Sequence, residues 1–210
     1  MKLYHGTAER YLNAILEDGI MPRRMASIDG NWDQTLSRPD MVYLGEAYPI
    51  FYALHAADGD KAVVIEIELD EMDEAFLYPD EDFIWEALKQ KVPHPEVIKT
   101  LLNYQHHWRD SLERLGNCCH RGVISPDSFT RYCIFDQRER PKLAMQIDPS
   151  ICMANYFIMG QYYRDFVAYF FGDRELIPMQ IDEPKYVEFW TKESANRTGI
   201  QVVEVQHETA

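Results

Sequence analysis

The residues best suited to chemistry are gathered early in the chain. The opening stretch MKLYHGT carries His5, Gly6 and Thr7 on a run that reads as a short strand leading into a helix. An imidazole donates a hydrogen bond from one nitrogen and accepts at the other. On these residues alone His5 is either a hydrogen-bonded core histidine or a catalytic one. Tyr43 and Tyr52 each read as packing side chains or as ligand contacts, and Arg23 and Arg24 form a basic pair in a loop. Farther on, NCCHRG sets Cys118, Cys119 and His120 side by side. Successive side chains of a strand point to opposite faces, so these do not converge on one ion and no metal is expected. With Cys133 and Cys152 they show no C-x-x-C rhythm and read as buried free thiols in a reducing compartment.

The elements that position these residues follow from pattern and punctuation. KLYH is a strand, and Thr7 is placed to cap a helix with Leu12, Ile15 and Leu16 inward and Gly19 just past its end. A long loop with Pro22, Gly30 and Pro39 follows, of a length typical of lids and binding loops. MVYLG is a strand, and a helix runs from about Ala47 to Ala57 with Pro49 in its first turn. KAVVIEIELDE alternates, with Val63, Ile65, Ile67 and Leu69 on one face and Glu66 and Glu68 on the other. DEDFIWEALKQK is a helix capped by Asp80. PEVIKTLLNYQHHWRDSLERLG is a longer one, with Val97, Leu101, Trp108, Leu112 and Leu115 inward and Gly116 ending it. RGVISPDSFTRYCIFDQ reads as strand, turn at Pro126-Asp127, strand. An aromatic helix, NYFIMGQYYRDFVAYFFGD, and an extended GIQVVEV close the chain. The expectation is one α+β domain over 1–210, with 141–210 as a helical C-terminal elaboration.

Composition bounds the function classes. The 210 residues are 46% hydrophobic and 27% charged, ordinary for a globular chain. No signal peptide and no membrane-spanning run are read, so a cytoplasmic protein without a membrane partner is expected. A net charge of −14 argues against a broad nucleic-acid footprint, though it permits a local basic groove.

The order of these blocks, LYHGT, ILEDGIMPR, VYLGEAYPIFYALHAA and VVIEIELDE, resembles the ADP-ribosyltransferase superfamily. The likeness is nearest to the C-terminal lobe of the RNA 2′-phosphotransferases and looser to the poly(ADP-ribose) polymerase and diphtheria-toxin catalytic domains. It covers about the first 70 positions, and GVISPDSFTRY is a vaguer echo of a later family strand. The resemblance implies a split β-sheet core that binds NAD as substrate. It assigns His5 to the adenosine-side ribose and the Gly6 backbone to the nicotinamide carboxamide, with Thr7 beside the same ligand. Tyr43 and Tyr52 would stack on the nicotinamide, and Arg23 would meet the diphosphate.

The implied reaction breaks the nicotinamide–ribose bond through an oxocarbenium-like transition state and passes ADP-ribose to an acceptor. Many family members orient the ribose with a glutamate on a later strand. Here Arg121 and Arg131 stand at the corresponding places, so the candidate catalytic residues are Tyr43, Arg121 and Arg131. The arginines resemble those of the phosphotransferases, yet that family's N-terminal lobe is missing, so removal of a tRNA 2′-phosphate is not expected. The resemblance points to a mono-ADP-ribosyltransferase acting on a macromolecule, of the kind used as bacterial toxins in toxin–antitoxin or antiviral defence. Two alternatives stand beside it, a degenerate module that only binds a nucleotide or partner, and an NAD glycohydrolase. Arg109, Arg114, Arg121, Arg131, Arg138 and Arg140, with Trp108 and Tyr132, suggest single-stranded RNA or DNA as acceptor, slightly ahead of protein. The dense aromatics of 151–172 suggest an inhibitory protein partner or self-association.

Overall fold

In the computed structural model, residues 1–26, 37–70, 73–89, 105–136, 156–174 and 199–207 are described. Seven strands form one sheet: β1 (Lys2–Ala8), β2 (Met41–Gly45), β3 (Lys61–Glu68), β4 (Leu77–Pro79), β5 (Asn117–Arg121), β6 (Phe129–Asp136) and β7 (Ile200–Glu204). Their order is β4-β5-β2-β1-β3-β6-β7, and every neighbouring pair is antiparallel. The α-helices among the described residues are α1 (Glu9–Asp18), α2 (Arg23–Ala26), α3 (Pro49–Ala57), α4 (Glu81–Lys89), α5 (Trp108–Leu115) and α6 (Tyr156–Phe171). The expected α+β class is observed. No described helix is long and apolar enough to cross a membrane.

The pairing is uneven. β1 matches β3 along its whole length, from Lys2 opposite Glu68 to Ala8 opposite Ala62. Toward β2 it has one register pair, Tyr4 opposite Gly45, so the sheet parts beyond that point. Among the described residues, positions 5–8 of β1 therefore have no strand in register on that side.

Several boundaries fall where the local chemistry puts them. Gly19, at φ +89°, ends α1 and donates its N–H to the Ile15 carbonyl. Pro49 opens α3, where its missing N–H costs nothing. Asp80 caps α4, its Oδ1 accepting from the Phe83 N–H at 2.9 Å. Gly116, at φ +76°, ends α5, with Trp108, Leu112 and Leu115 buried beneath it as the spacing predicts. Val97 and Leu101, assigned to the same helix from sequence, lie outside the described residues, as does Cys152.

Three expectations change. Thr7 does not cap α1, because the strand continues through Ala8, which occupies the cap position without a side-chain bond. Thr7 is instead buried, opposite Val63. The second face of β3 is solvated at Glu68 but not at Glu66, which is only 1% exposed. α3 and α6 cover that face, packing Ile50, Phe51, Ala53, Phe166 and Phe170 against Ala62 and Val64. The opposite face of β3, with Val63, Ile65 and Ile67, packs with Leu12 of α1 and Leu112 of α5. The C-terminal region is also more than a helical elaboration, since β7 joins the main sheet beside β6. Phe166, Tyr169, Phe170 and Phe171 of α6 are core residues, covered by this chain. Each such burial is worth about 1.5–3 kcal/mol, which explains the aromatic density without an outside partner for these rings.

Candidate functional site

His5 bridges the parting of the sheet. Its Nδ1 lies 2.9 Å from the Tyr43 carbonyl oxygen. A carbonyl only accepts, so Nδ1 carries the proton and Nε2 is left as an acceptor with no partner among the described residues. Burial lowers the His5 pKa, and the bond to Tyr43 opposes that only in part, so the ring is neutral near pH 7. His5 thus does what a ladder bond would do between closely paired strands, with one polar atom to spare.

Gly6 owes its identity to packing. A Cβ at this position would sit 2.2 Å from the Pro49 carbonyl oxygen and 2.5 Å from the Ala53 nitrogen. Those are backbone atoms of α3 and cannot swing aside, so only glycine lets the helix lie this close to β1. The requirement attributed to a ligand's approach is met here by the helix.

Tyr43 anchors a polar cluster. Its hydroxyl donates to Glu81 Oε1 at 2.6 Å and accepts from the Arg38 N–H at 3.0 Å. The same Arg38 N–H also reaches Glu81 Oε1 at 3.1 Å. Burial, and then the Glu81 charge, push the phenol pKa far up, so it stays a donor. Cys119, directly across the ladder from Tyr43, turns its thiol to the Pro79 carbonyl at 3.2 Å. Its Sγ is 3.8 Å from Glu81 Oε2, and burial raises its pKa, so it is an inert thiol rather than a nucleophile.

Neighbouring carboxyls and cations complete the surroundings. Burial raises Asp80 well above the ordinary aspartate value. Asp82 is raised by burial as well, with hydrogen bonds from Ser37 and Tyr43 and the Arg23 charge working against the shift. Arg23 donates to the Ser37 carbonyl, which keeps it beside the start of α4. Tyr52 accepts from Asn117 Nδ2 at 3.1 Å, and burial pushes its hydroxyl far up. Arg121 lies at the rim, 4.5 Å over the Tyr78 ring, with Arg38 at 5.6 Å from that ring and Asp40 3.3 Å from the Arg121 Nε.

The fold therefore gathers Tyr43, Arg23 and Arg121 around the start of α4, and ties His5 to the Tyr43 main chain. Tyr52 lies one step along the same face of β2 and β5, through Asn117 opposite Gly45. Arg131 is elsewhere. It stands on β6, separated from β2 by β3 and β1, and is spent on Glu66 at 2.6 Å and on Asp173. Its guanidinium also sits 4.8 Å over the Phe171 ring, so it fastens α6 to the sheet. The residues of the expected single-strand surface are divided, with the Arg109 side chain 67% exposed and that of Arg121 45% exposed. Arg109 pairs with Glu74, Trp108 is buried, and Arg138 and Arg140 lie outside the described residues.

Sequence reasoning missed Glu81, Arg38 and Asn117. Glu81 was legible only as the residue after a helix cap, and nothing along the chain links it to a tyrosine 38 positions away. Polar side chains next to a Gly-ended helix or a proline loop are too common to single out Asn117 and Arg38.

No family model and no curated protein matches the chain. Among solved structures, a chain named EcPltA aligns over 66% of this chain and 78% of its own length, at 10% identity and a TM-score of 0.34.

Proposed function

We propose that this chain is an NAD-dependent ADP-ribosyltransferase with the superfamily's split-sheet core. One observation carries the reading. His5, which the resemblance assigns to NAD, reaches across the parting of the sheet to the main-chain carbonyl of Tyr43, the other assigned residue, at 2.9 Å. The open edge of β1 offers main-chain groups suited to a carboxamide, and His5 Nε2 offers an acceptor suited to a ribose hydroxyl. Tyr43 supplies the aromatic ring that the resemblance assigns to the nicotinamide. Arg23 and Arg121 supply cations near the same place for a diphosphate.

In this reading the nicotinamide–ribose bond breaks heterolytically. Nicotinamide leaves with the bonding pair, the ribose carbon becomes cationic, and a nucleophile on a macromolecule bonds to it and gives up its proton. The acceptor is a macromolecule, with single-stranded RNA or DNA the first to test and protein the second. A bacterial toxin would have this activity.

A second reading, a module that binds NAD without cleaving it, is favoured by one observation. Among the described residues no bond joins a carboxylate of the later strands to Tyr43, and Arg121 and Arg131, at the positions where the resemblance expects the glutamate, pair with Asp40 and Glu66. Purified protein incubated with NAD separates the two. Release of nicotinamide supports the transferase, binding by calorimetry without release supports the module, and neither overturns both. Labelled NAD with added single-stranded RNA, DNA or lysate protein then identifies the acceptor.

A further inference from the structure

The hydroxyl of Tyr43 is held by a carboxylate from another part of the chain. Glu81 Oε1 accepts its proton at 2.6 Å, short enough for a charge-assisted bond. The Arg38 N–H closes a triangle with both oxygens, at 3.0 and 3.1 Å. Glu81 is itself held. It is the first residue of α4, whose start is fixed by the Asp80 cap. The Asp80 N–H donates to Ser111 Oγ at 3.2 Å, and that hydroxyl donates to the Asn117 carbonyl at 2.8 Å. Asn117 then donates to Tyr52. A continuous set of bonds thus runs from the start of α4 to both tyrosines.

We propose that Glu81 is the positioning residue for Tyr43, fixing where its ring sits by holding its hydroxyl, so that the ring is in place for a planar nicotinamide. The proposal rests on the transferase reading above. An unheld phenol swings between staggered side-chain conformers, whereas one fixed at its tip keeps a single one. Glu81 acts through Tyr43, by accepting a hydrogen bond. The role needs an acceptor at this position and does not need the negative charge.

That distinction supplies the test. Nicotinamide release is measured for the full-length wild type and for Glu81→Ala, Glu81→Gln, Tyr43→Phe and the double variant Tyr43→Phe/Glu81→Ala, with folding checked by thermal melts. Glu81→Ala is expected to lower kcat/KM about tenfold, the usual scale for a lost bond to a charged group. Glu81→Gln keeps an acceptor oxygen and is expected to recover most of that loss, to within about threefold of wild type. Tyr43→Phe should match Glu81→Ala, and adding Glu81→Ala to it should cost nothing further. Equal losses in Glu81→Gln and Glu81→Ala would overturn the positioning role in favour of the charge. A full additional loss in the double variant would overturn it too, by severing Glu81 from Tyr43. If Glu81→Ala fails to fold, Glu81→Gln against Tyr43→Phe decides the matter, since a loss as large in the former as in the latter is incompatible with positioning. A wild type that neither binds nor cleaves NAD instead overturns the transferase reading, an outcome distinct from each of these.

Discussion

At the scale of the residue, His5 combines a structural bond with an unused acceptor, and the two can be separated. Burial pushes its pKa below the ordinary 6.5, so the unfolded chain takes up this proton more readily than the folded one. The neutral ring therefore contributes stability fully above the ordinary value, and that contribution is lost as pH falls below it. His120 is lowered by burial as well and adds in the same direction. Asp80 works oppositely. Its raised pKa means that the native state keeps a proton which the unfolded chain releases, so it costs stability as pH rises. The histidine contribution is thus best read as a difference against a variant. His5→Asn keeps an N–H donor near the position of Nδ1 and removes both Nε2 and the titration. Between about pH 7.5 and about pH 5.5 the wild type is expected to lose more stability in urea unfolding than His5→Asn, by up to about 1 kcal/mol. NAD affinity is expected to fall in the variant at both pH values. Equal pH dependence in the two proteins would remove His5 as a titrating group. Much of this residue's site was legible, since its type, its strand and the glycine beside it stand in seven consecutive positions. Its partner was not, because the bond is to a main-chain carbonyl, which every residue has.

At the scale of the element, the fastening of α6 to the sheet is the clearest energetic feature. Glu66 accepts from Thr130 Oγ1 at 2.6 Å, from Arg131 at 2.6 Å and from Lys2 at 3.2 Å. Burial alone would raise the Glu66 pKa, but these donors together hold it below the ordinary glutamate value. Its stability contribution is therefore present above that value and is lost as pH falls through the lower folded pKa. Arg131→Met leaves this carboxylate buried with fewer partners and removes the Arg131 bonds to Asp173, just past α6. A loss of about 3–5 kcal/mol is expected, read as a drop in melting temperature. Glu66→Leu in the same chain should restore much of it, because a buried ion pair replaced by apolar groups is often neutral. Arg131→Met that melts like wild type would show the network to be weak. Nicotinamide release per folded molecule is expected to persist, and its loss in a fully folded variant would return Arg131 to the site. The alternation of β3 was plain in the sequence, which put Glu66 on one face with Glu68 but left its burial open. A period of two says which residues share a face, and it does not say whether a helix from 90 residues later will cover that face.

At the scale of the whole molecule, the weak junction in the sheet sets what moves. β1, β3 and β6 are paired along most of their lengths, while β1 and β2 meet at one register pair. Amide exchange is expected to be slowest in β3 and faster along the open edge of β1 and in β2. Adding NAD should protect residues 5–7, 41–45 and the start of α4, leaving β6 and β7 unchanged. Protection spread evenly over all seven strands would indicate general stabilisation, and would argue against a ligand seated at the parting.

The sequence by itself determined the strands and helices that local signals punctuate. Gly19 and Gly116 end helices because only glycine readily takes their positive φ, Pro49 opens one, and Asp80 caps another. The tertiary structure alone decided which of the candidates meet. Tyr43 finds Glu81 and Arg38, while Arg131 is drawn away to Glu66 and Asp173. The reason is that a hydrogen bond depends on positions within about 3 Å in space. Segments 38 or more positions apart acquire those positions only when strand register and helix packing are complete.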